Sequence, residues 1–491
     1  MTSDIPPWAG AVGADTLARL LALQGERDWL DYKSRCDLSL TRDVVEITKD
    51  IGAMMIAGGY IVVGADDNGQ PAGEAAQLDL FDPATVHAKV AKYLPDPFEI
   101  RVARHPCGNQ SYAVIYVAPH AAGFCVFECD GNYTDSVKGT RTVFRAGDVF
   151  ARHGTRSERW NQRDIAEIKQ RLQADADRGR DQDAEALALI DDISGQLGGS
   201  GLWLAVAVVP EYRLPDPPKI TPDAAQRFLA GWSTAQAPVE AVAQGTATYR
   251  QPGGVVITSQ AGTAEPPYWW RLGLHDGGDT TGAYVLAHEV AADPASSDTH
   301  WLGLPPGVGD GMTIPARRDD VEVRLEMLLD VLTAYAIGTD AGGRAVITAV
   351  LLTPHRDKWV RIALLDEVTD DSEQHTGWRL ASGRAHQPME AVVKVPVTGR
   401  VQLADMRDAR LRLQAASRLA ADLLALFGVD RPAILRPDGT LDPYGAAVSR
   451  QQPMYEHARH LGLPVDDISP GERRRKFEEG IAAAKNSLRQ R

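Results

Sequence analysis

The sequence has little of what marks several common protein classes. Four cysteines in 491 residues are too few for a disulfide-stapled secreted scaffold. The longest apolar runs, such as "LWLAVAVVP" at 202–210, are far shorter than the stretch that spans a bilayer. The opening "MTSDIPPWAGAVGADT" has no basic segment followed by an apolar one, so it does not read as a secretory leader. A cytoplasmic protein with reduced thiols and no membrane association is therefore expected. There is no G-x-x-x-x-G-K-[ST] loop, which argues against ATP hydrolysis of the P-loop kind. G-x-S-x-G and H-E-x-x-H are absent too, and no internal repeat is found. Positive charge is also short, with a net charge of −14, so the average field of the chain repels nucleic acid.

What is present is an ordinary globular composition, 44% apolar and 24% charged, in a length that suits two or three domains. Helices are expected at 12–25, 40–57 (with Thr41 as N-cap) and 82–94. "LDYK" at 30–33 alternates apolar and charged residues as a strand with one wet face does. "YIVV" at 60–63 follows a diglycine and ends in the turn "DDNG" at 66–69. "FEIRVARHP", "SYAVIYVAP" and "FCVFECDGNY" read as strands, the last with an Asp130-Gly131 turn. One more strand and a basic loop lie in "RTVFRAGDVFARHGTRS". Helix–strand–helix–strand followed by a meander predicts a mixed α+β domain over residues 1–170. A polar helical linker is expected at 171–195, a second domain of α/β type at 196–460, and a charged tail at 461–491. In the second domain, strands are expected at 202–210, 255–258, 283–288, 346–352 and 359–365. Helices are expected there at 222–232, 319–336 and 405–427, the first opened by Thr221-Pro222.

Three groups of residues could carry chemistry. In the first, Asp31 and Lys33 project from one side of their strand and Glu26 precedes it. Asp66 and Asp67 end the next strand. If the two strands are neighbours, these carboxylates and the lysine converge. Such a set suits phosphodiester hydrolysis with Mg²⁺ or Mn²⁺ on the acids and the lysine on phosphate. The bland alternative is a set of solvated strand ends. The second group is the stretch from Lys138 to Arg163, which carries seven basic residues (Lys138, Arg141, Arg145, Arg152, Arg156, Arg159, Arg163) against two acids. It reads either as a phosphate-contacting strip or as a solvated mixed-charge face. The third is "PPYWW" at 266–270, a stacking platform for bases or simple packing.

"ERDWLDYKS", "VVEITKDIGAMMIAGGYIVVGADDNG" and "FARHGTRS" occur in an order and spacing that resemble the Schlafen-type AlbA domain over residues 20–170. Lys33, Gly58, Gly59, Gly64, Asp66, Asp67, Arg152 and Gly154 match its pattern. Asp31 stands where the family has a second glutamate, and Ile56 where it has an asparagine. The resemblance implies a nucleic-acid-binding fold. In its nuclease members two glutamates and an aspartate bind the metal that cleaves tRNA and rRNA. Carried over, these are Glu26, Asp31 and Asp66 or Asp67.

It also implies a zinc held by His105, Cys107, Cys125 and Cys129. However, Cys125 and Cys129 would lie about 13 Å apart on a strand, so free buried thiols are favoured there, with Cys36 structural. The expected function is a metal-dependent endoribonuclease acting on structured RNA such as tRNA, in phage defence. With one such lobe per chain, a homodimer is the natural way to build a groove. Two other readings stay open. One is a non-catalytic DNA- or RNA-binding regulator with a C-terminal sensor domain. The other is an oligomerisation module.

Overall fold

A computed structural model describes residues 9–72, 78–107, 110–135, 139–197, 202–214, 216–235, 246–259, 270–287, 312–352, 360–370, 375–380, 395–446 and 448–463. The chain is α+β, and it divides into two compact units. The first comprises Met1–Gln182 with Glu211–Arg213 and Asp340–Gly343. The remainder forms the second. The division at Gln182 falls inside one long helix, Gln162–Gln196. Among the described residues no helix is long and apolar enough to cross a membrane.

The first unit runs α1 (Ala14–Ala22), β1 (Leu30–Lys33), α2 (Thr41–Met54), β2 (Gly59–Val63), α3 (Pro83–Val90), β3 (Ile100–Cys107) and β4 (Gln110–Val117). Then come β5 (Gly131–Asp135), β6 (Gly139–Phe144), β7 (Phe150–His153), β8 (Arg156–Arg159) and α4 (Gln162–Gln196). The main sheet has the order β1-β2-β4-β3. β1 and β2 are parallel, with Asp31 beside Ile61 and Lys33 beside Val63, and α2 connects them. The β2–β4 and β3–β4 pairs are antiparallel.

Strand alternation sorts this sheet into two buried faces. Leu30, Tyr32, Tyr60, Val62, Tyr112 and Val114 pack with Leu17 and Leu20 of α1. Ile61, Val63, Ala113, Ile115 and Val117 pack on the other side with Val44, Ile47 and Ile51 of α2. By the same alternation Asp31 and Lys33 point to the α2 side. The diglycine has a steric cause. Gly58 closes α2 with a φ of +85°, a conformation glycine adopts without strain. A Cβ on Gly59 would stand 2.7 Å from the Trp29 carbonyl oxygen.

Several expectations change here. α2 begins at Thr41 itself, with Leu40 at the N-cap position and no side-chain cap. "FCVFEC" is not a strand. Phe127 donates its N–H to Asp148 and Glu128 donates to Tyr93, so the segment spends its backbone bonds on separate loops and regular pairing starts only at Gly131. The basic loop at 150–159 is a hairpin, β7 with β8, turning at Gly154 and Thr155.

The second unit continues with β9 (Leu202–Tyr212), α5 (Pro222–Ala235), β10 (Thr246–Gln251), β11 (Gly254–Ser259), β12 (Trp270–His275) and β13 (Thr280–Ala287). After these come β14 (Met312–Arg317), α6 (Arg318–Gly338), β15 (Gly342–Leu352), β16 (Val360–Asp370) and β17 (His375–Leu380). The last elements are β18 (Val397–Gln402), a 3₁₀ turn at Leu403–Arg407, α7 (Ala409–Ala425) and α8 (Val448–His460). A seven-stranded sheet has the order β10-β11-β12-β13-β9-β15-β18. β14, β16 and β17 form a smaller one. Of "PPYWW", Trp270 is buried on β12, and residues 266–269 lie outside the described residues, as does the tail from 464 on.

Candidate functional site

The charged residues of β1 are not solvated strand ends: Asp31 is buried and Lys33 half-buried. Asp31 is 1% exposed. Its Oδ1 accepts from Arg152 Nη1 at 3.0 Å, and its Oδ2 lies 2.6 Å from Lys33 Nζ. Lys33 reaches on to Asp50 Oδ2 of α2 at 2.9 Å. Asp50 Oδ1 in turn accepts from the Ser157 hydroxyl at 2.7 Å. One chain of contacts thus ties β1, α2 and the β7–β8 hairpin together. Burial works against the Lys33 ammonium, but Asp50 and Asp31 outweigh it and hold its pKa above the ordinary lysine value. Burial works against Asp50 as well, and Lys33, Lys49 and Ser157 still hold its carboxyl below the usual range.

Glu26 completes the group. Its Oε1 accepts from the Tyr32 backbone N–H at 3.2 Å, and its carboxyl lies close enough to that of Asp31 to feel its charge. Partial burial and the Asp31 charge push it up to about 7. The linkage follows from that direction. An acid whose folded pKa lies above its unfolded value loses stabilisation as pH rises from about 4.5, the ordinary value, through about 7. Glu26→Gln is therefore expected to flatten the pH dependence of unfolding between these limits and to leave the variant the more stable above pH 7. Denaturant midpoints across that range check it. Identical slopes for both proteins would refute the assignment.

Asp66 stands apart. Its Oδ1 accepts from the backbone N–H groups of Asn68 at 3.0 Å and Gln70 at 2.8 Å, so the carboxylate is used to close its own turn. Asp67 is exposed. Among the described residues, no three His, Cys, Asp or Glu side chains gather as ligands for a metal ion. Of the acids expected to converge, Glu26 and Asp31 meet, and Asp66 and Asp67 do not join them. Asp50 takes the third place, and it is bridged by a lysine. Asp50 was missed in the sequence. Its signal is an acid set among Ile47, Ile51 and Met54, on the apolar stripe of α2.

The basic strip separates in the same way. Arg152 is turned inward onto Asp31, with a side chain 5% exposed, so it is a structural cation and not a phosphate contact. Arg159 pairs with Asp148 at 2.8 Å and Arg163 with Glu167 at 2.8 Å. Arg141, Arg145 and Arg156 are exposed and have no side-chain partner among the described residues. Lys138 lies outside the described residues. His153, beside Arg152, contacts Asp164 of α4 at 2.8 Å and Glu158 at 3.2 Å.

The expected zinc ligands are dispersed in their bonding. His105 Nε2 sits 2.6 Å from the Val12 carbonyl oxygen. Cys125 is buried and Cys107 and Cys129 are exposed, all as free thiols. The burial expected for this group therefore holds for Cys125 and for Cys36, but not for the other two. Burial pushes the Cys36 and Cys125 thiols up to about 12, where almost no thiolate exists at neutral pH. Ellman's reagent is expected to titrate two thiols rapidly in the folded protein and four after denaturation. Four fast thiols in the folded protein would refute this burial pattern.

No family model matches the sequence, and a comparison with curated proteins returns no match.

Proposed function

We propose that the first unit is a nucleic-acid-binding module of the Schlafen-type AlbA kind, which holds a phosphate backbone without cutting it. In this reading the chain is a binding regulator and its second unit a sensor. The observation that carries the proposal is the state of Asp31. Each of its oxygens faces a cation supplied by the protein, Lys33 or Arg152. Asp50 is held by Lys33 and Ser157. Acids neutralised in this way repel a nearby phosphate far less than free carboxylates do. They also present fewer open lone pairs to a metal ion.

Among the described residues of the 138–163 strip, the exposed cations without a side-chain partner are Arg141, Arg145 and Arg156, on β6, β8 or the turn between β6 and β7. Guanidinium groups on such a surface position the backbone and read no bases. Structured RNA such as tRNA is the favoured ligand and DNA the alternative, with a homodimer widening the contact surface.

The contact between Glu26 and Asp31 favours a second reading, the metal-dependent ribonuclease. Two adjacent carboxylates, Glu26 and Asp31, are a fit for one Mg²⁺ or Mn²⁺, which often binds through one or two acids and completes its shell with water and phosphate. When bound, the ion would supply charge neutralisation and an activated water. Glu26 and Asp31 would hold it, and Lys33 would orient a phosphate oxygen.

One experiment separates the readings. The full chain is incubated with total tRNA and Mg²⁺ or Mn²⁺, and binding is followed across a salt series. Intact tRNA, with affinity falling steeply as salt rises, is expected. The Arg141→Glu/Arg145→Glu/Arg156→Glu variant should bind at least tenfold more weakly, with a shallower salt slope. Discrete fragments that vanish in Glu26→Ala and with EDTA would establish the ribonuclease. Absence of both binding and cleavage would sink both readings.

A further inference from the structure

The second unit carries a buried cation that the proposed function does not use. Arg271 lies on β12, an inner strand of the seven-stranded sheet with β11 on one side and β13 on the other. It is 3% exposed. The ladder fixes which way it points. Arg271 stands opposite Thr258 of β11 and Ala283 of β13, and residues directly opposite share a face. The next position, Leu272 opposite Gly282, faces α6, since a Cβ on Gly282 would meet Leu328 of that helix. Arg271 therefore projects from the other face, where Ala283 belongs to one core with Ile190 and Ile193 of α4.

A guanidinium in that position calls for an anion. It keeps its proton at any pH at which proteins stay folded, and a buried charge without a partner is strongly unfavourable. Among the described residues Arg271 makes no ion pair and no side-chain hydrogen bond, and its Nε is enclosed without an acceptor. The described side chains opposite or diagonal to it on the two flanking strands are uncharged: Thr258, Val256, Ala283, Thr281 and Val285. Two of these offer hydroxyls. Thr258 and Thr281 are 6% and 4% exposed, and neither hydroxyl has a hydrogen-bond partner among the described residues. Gly273 follows Arg271 on the same face and carries no side chain, and a Cβ there would run into the Thr281 hydroxyl. Thr258, Ala283 and Gly273 are all short, so they end well below the tip of an arginine.

We propose that Arg271 anchors a binding site for a small carboxylate in the second unit. The guanidinium takes the two carboxylate oxygens through a pair of parallel N–H groups. The Thr258 and Thr281 hydroxyls, beside it on the flanking strands, donate to the remaining lone pairs. One cation among uncharged neighbours is matched by a monoanion, which favours a carboxylate over a phosphate dianion. The site gives the sensor read in the second unit a class of ligand, and it stands whether or not the first unit binds nucleic acid.

Hydrogen exchange over residues 254–259 and 270–287 in the full chain tests the site. Sodium acetate, succinate and phosphate are each titrated against sodium chloride at the same pH and ionic strength. An anion that binds only the folded sheet, raised to about ten times its Kd, increases protection about tenfold. That rise is expected with acetate or succinate and not with phosphate. Arg271→Met should abolish it. In chloride alone the same variant should be more protected than the wild type, because methionine keeps much of the stem and removes the buried charge. An arginine held by a partner within the chain predicts the opposite sign. Thr258→Val keeps the shape and removes one donor, so it should weaken carboxylate binding by about three- to tenfold. No rise with either carboxylate would overturn the proposal, as would a rise with phosphate alone. So would an Arg271→Met variant that is less protected than the wild type in chloride or does not fold. The wild-type and Thr258→Val titrations test the site without touching the arginine.

Discussion

Replacing Asp31 with alanine is expected to lower the local unfolding free energy of β1 and the β7–β8 hairpin by about 3–5 kcal/mol, the cost of breaking a buried ion pair from one side. The Asp31 and Arg152 side chains are 2% and 5% exposed. Without the acid, the Arg152 guanidinium keeps, among the described residues, two long contacts, to the Ser157 hydroxyl and the Arg27 carbonyl, both at 3.5 Å. Its Nε has no partner even with the acid present. Lys33 fares better, because Asp50 remains beside it. The cost therefore arises at Arg152 and not at Lys33. Removing both charges, in Asp31→Leu/Arg152→Met, should recover most of the loss, since an apolar pair of similar volume leaves no buried charge behind.

A chain of two units need not unfold in one step, so the readout should be local. Hydrogen exchange of peptides covering residues 27–35 and 148–160 separates this effect from the second unit. Equal protection in the wild type and Asp31→Ala would mean that the pair contributes nothing. A large cost with no recovery in the double variant would place the energy in packing instead.

Much of the first unit was legible because its signals are local. The alternation in "LDYK", the apolar run "YIVV", the diglycine and the periodic helix 41–54 each depend on residues within one element. The site was legible only in part. Glu26, Asp31 and Lys33 do come together, through one short strand and the turn before it. Asp66 misled because "DDNG" is the same signal whether the acid serves a site or caps its own turn. Only the Asn68 and Gln70 N–H contacts distinguish the two uses.

Arg152 could have been placed from its strand. Phe150, two residues earlier, is a core residue, so period two sends Arg152 inward. Most of the second unit's sheet was beyond reach for a different reason. β9 lies between β13 and β15, strands far away in the chain, and no local pattern names such partners. Its edge strands β10 and β18 alternate only weakly between buried and exposed residues, which removes the local signal as well.

Glu322→Ala is expected to cost the second unit on the order of 4 kcal/mol, because three backbone donors, two of them buried and one half-buried, lose their acceptor together. The Glu322 carboxylate is fully buried. Its Oε1 accepts from Ala433 at 2.6 Å, and its Oε2 accepts from Ile434 at 2.7 Å and Leu435 at 3.0 Å. Three successive N–H groups closing on one carboxylate form a concave anion cradle, here filled from within the chain. Burial raises the Glu322 pKa against the pull of those donors, so its anion depends on all three bonds. Each orphaned donor costs about 1–3 kcal/mol. The three are not additive, because the loop can relax once it is released. Glu322→Gln keeps the shape and one good acceptor, so it should fall between the wild type and alanine. The measurement is hydrogen exchange over residues 431–442 with the urea midpoint of the second unit. Loss confined to that loop, with an unchanged midpoint, would mean that the cradle orders a local turn and does not carry the fold. A shifted midpoint would make Glu322 the point at which the loop after α7 is fastened to α6.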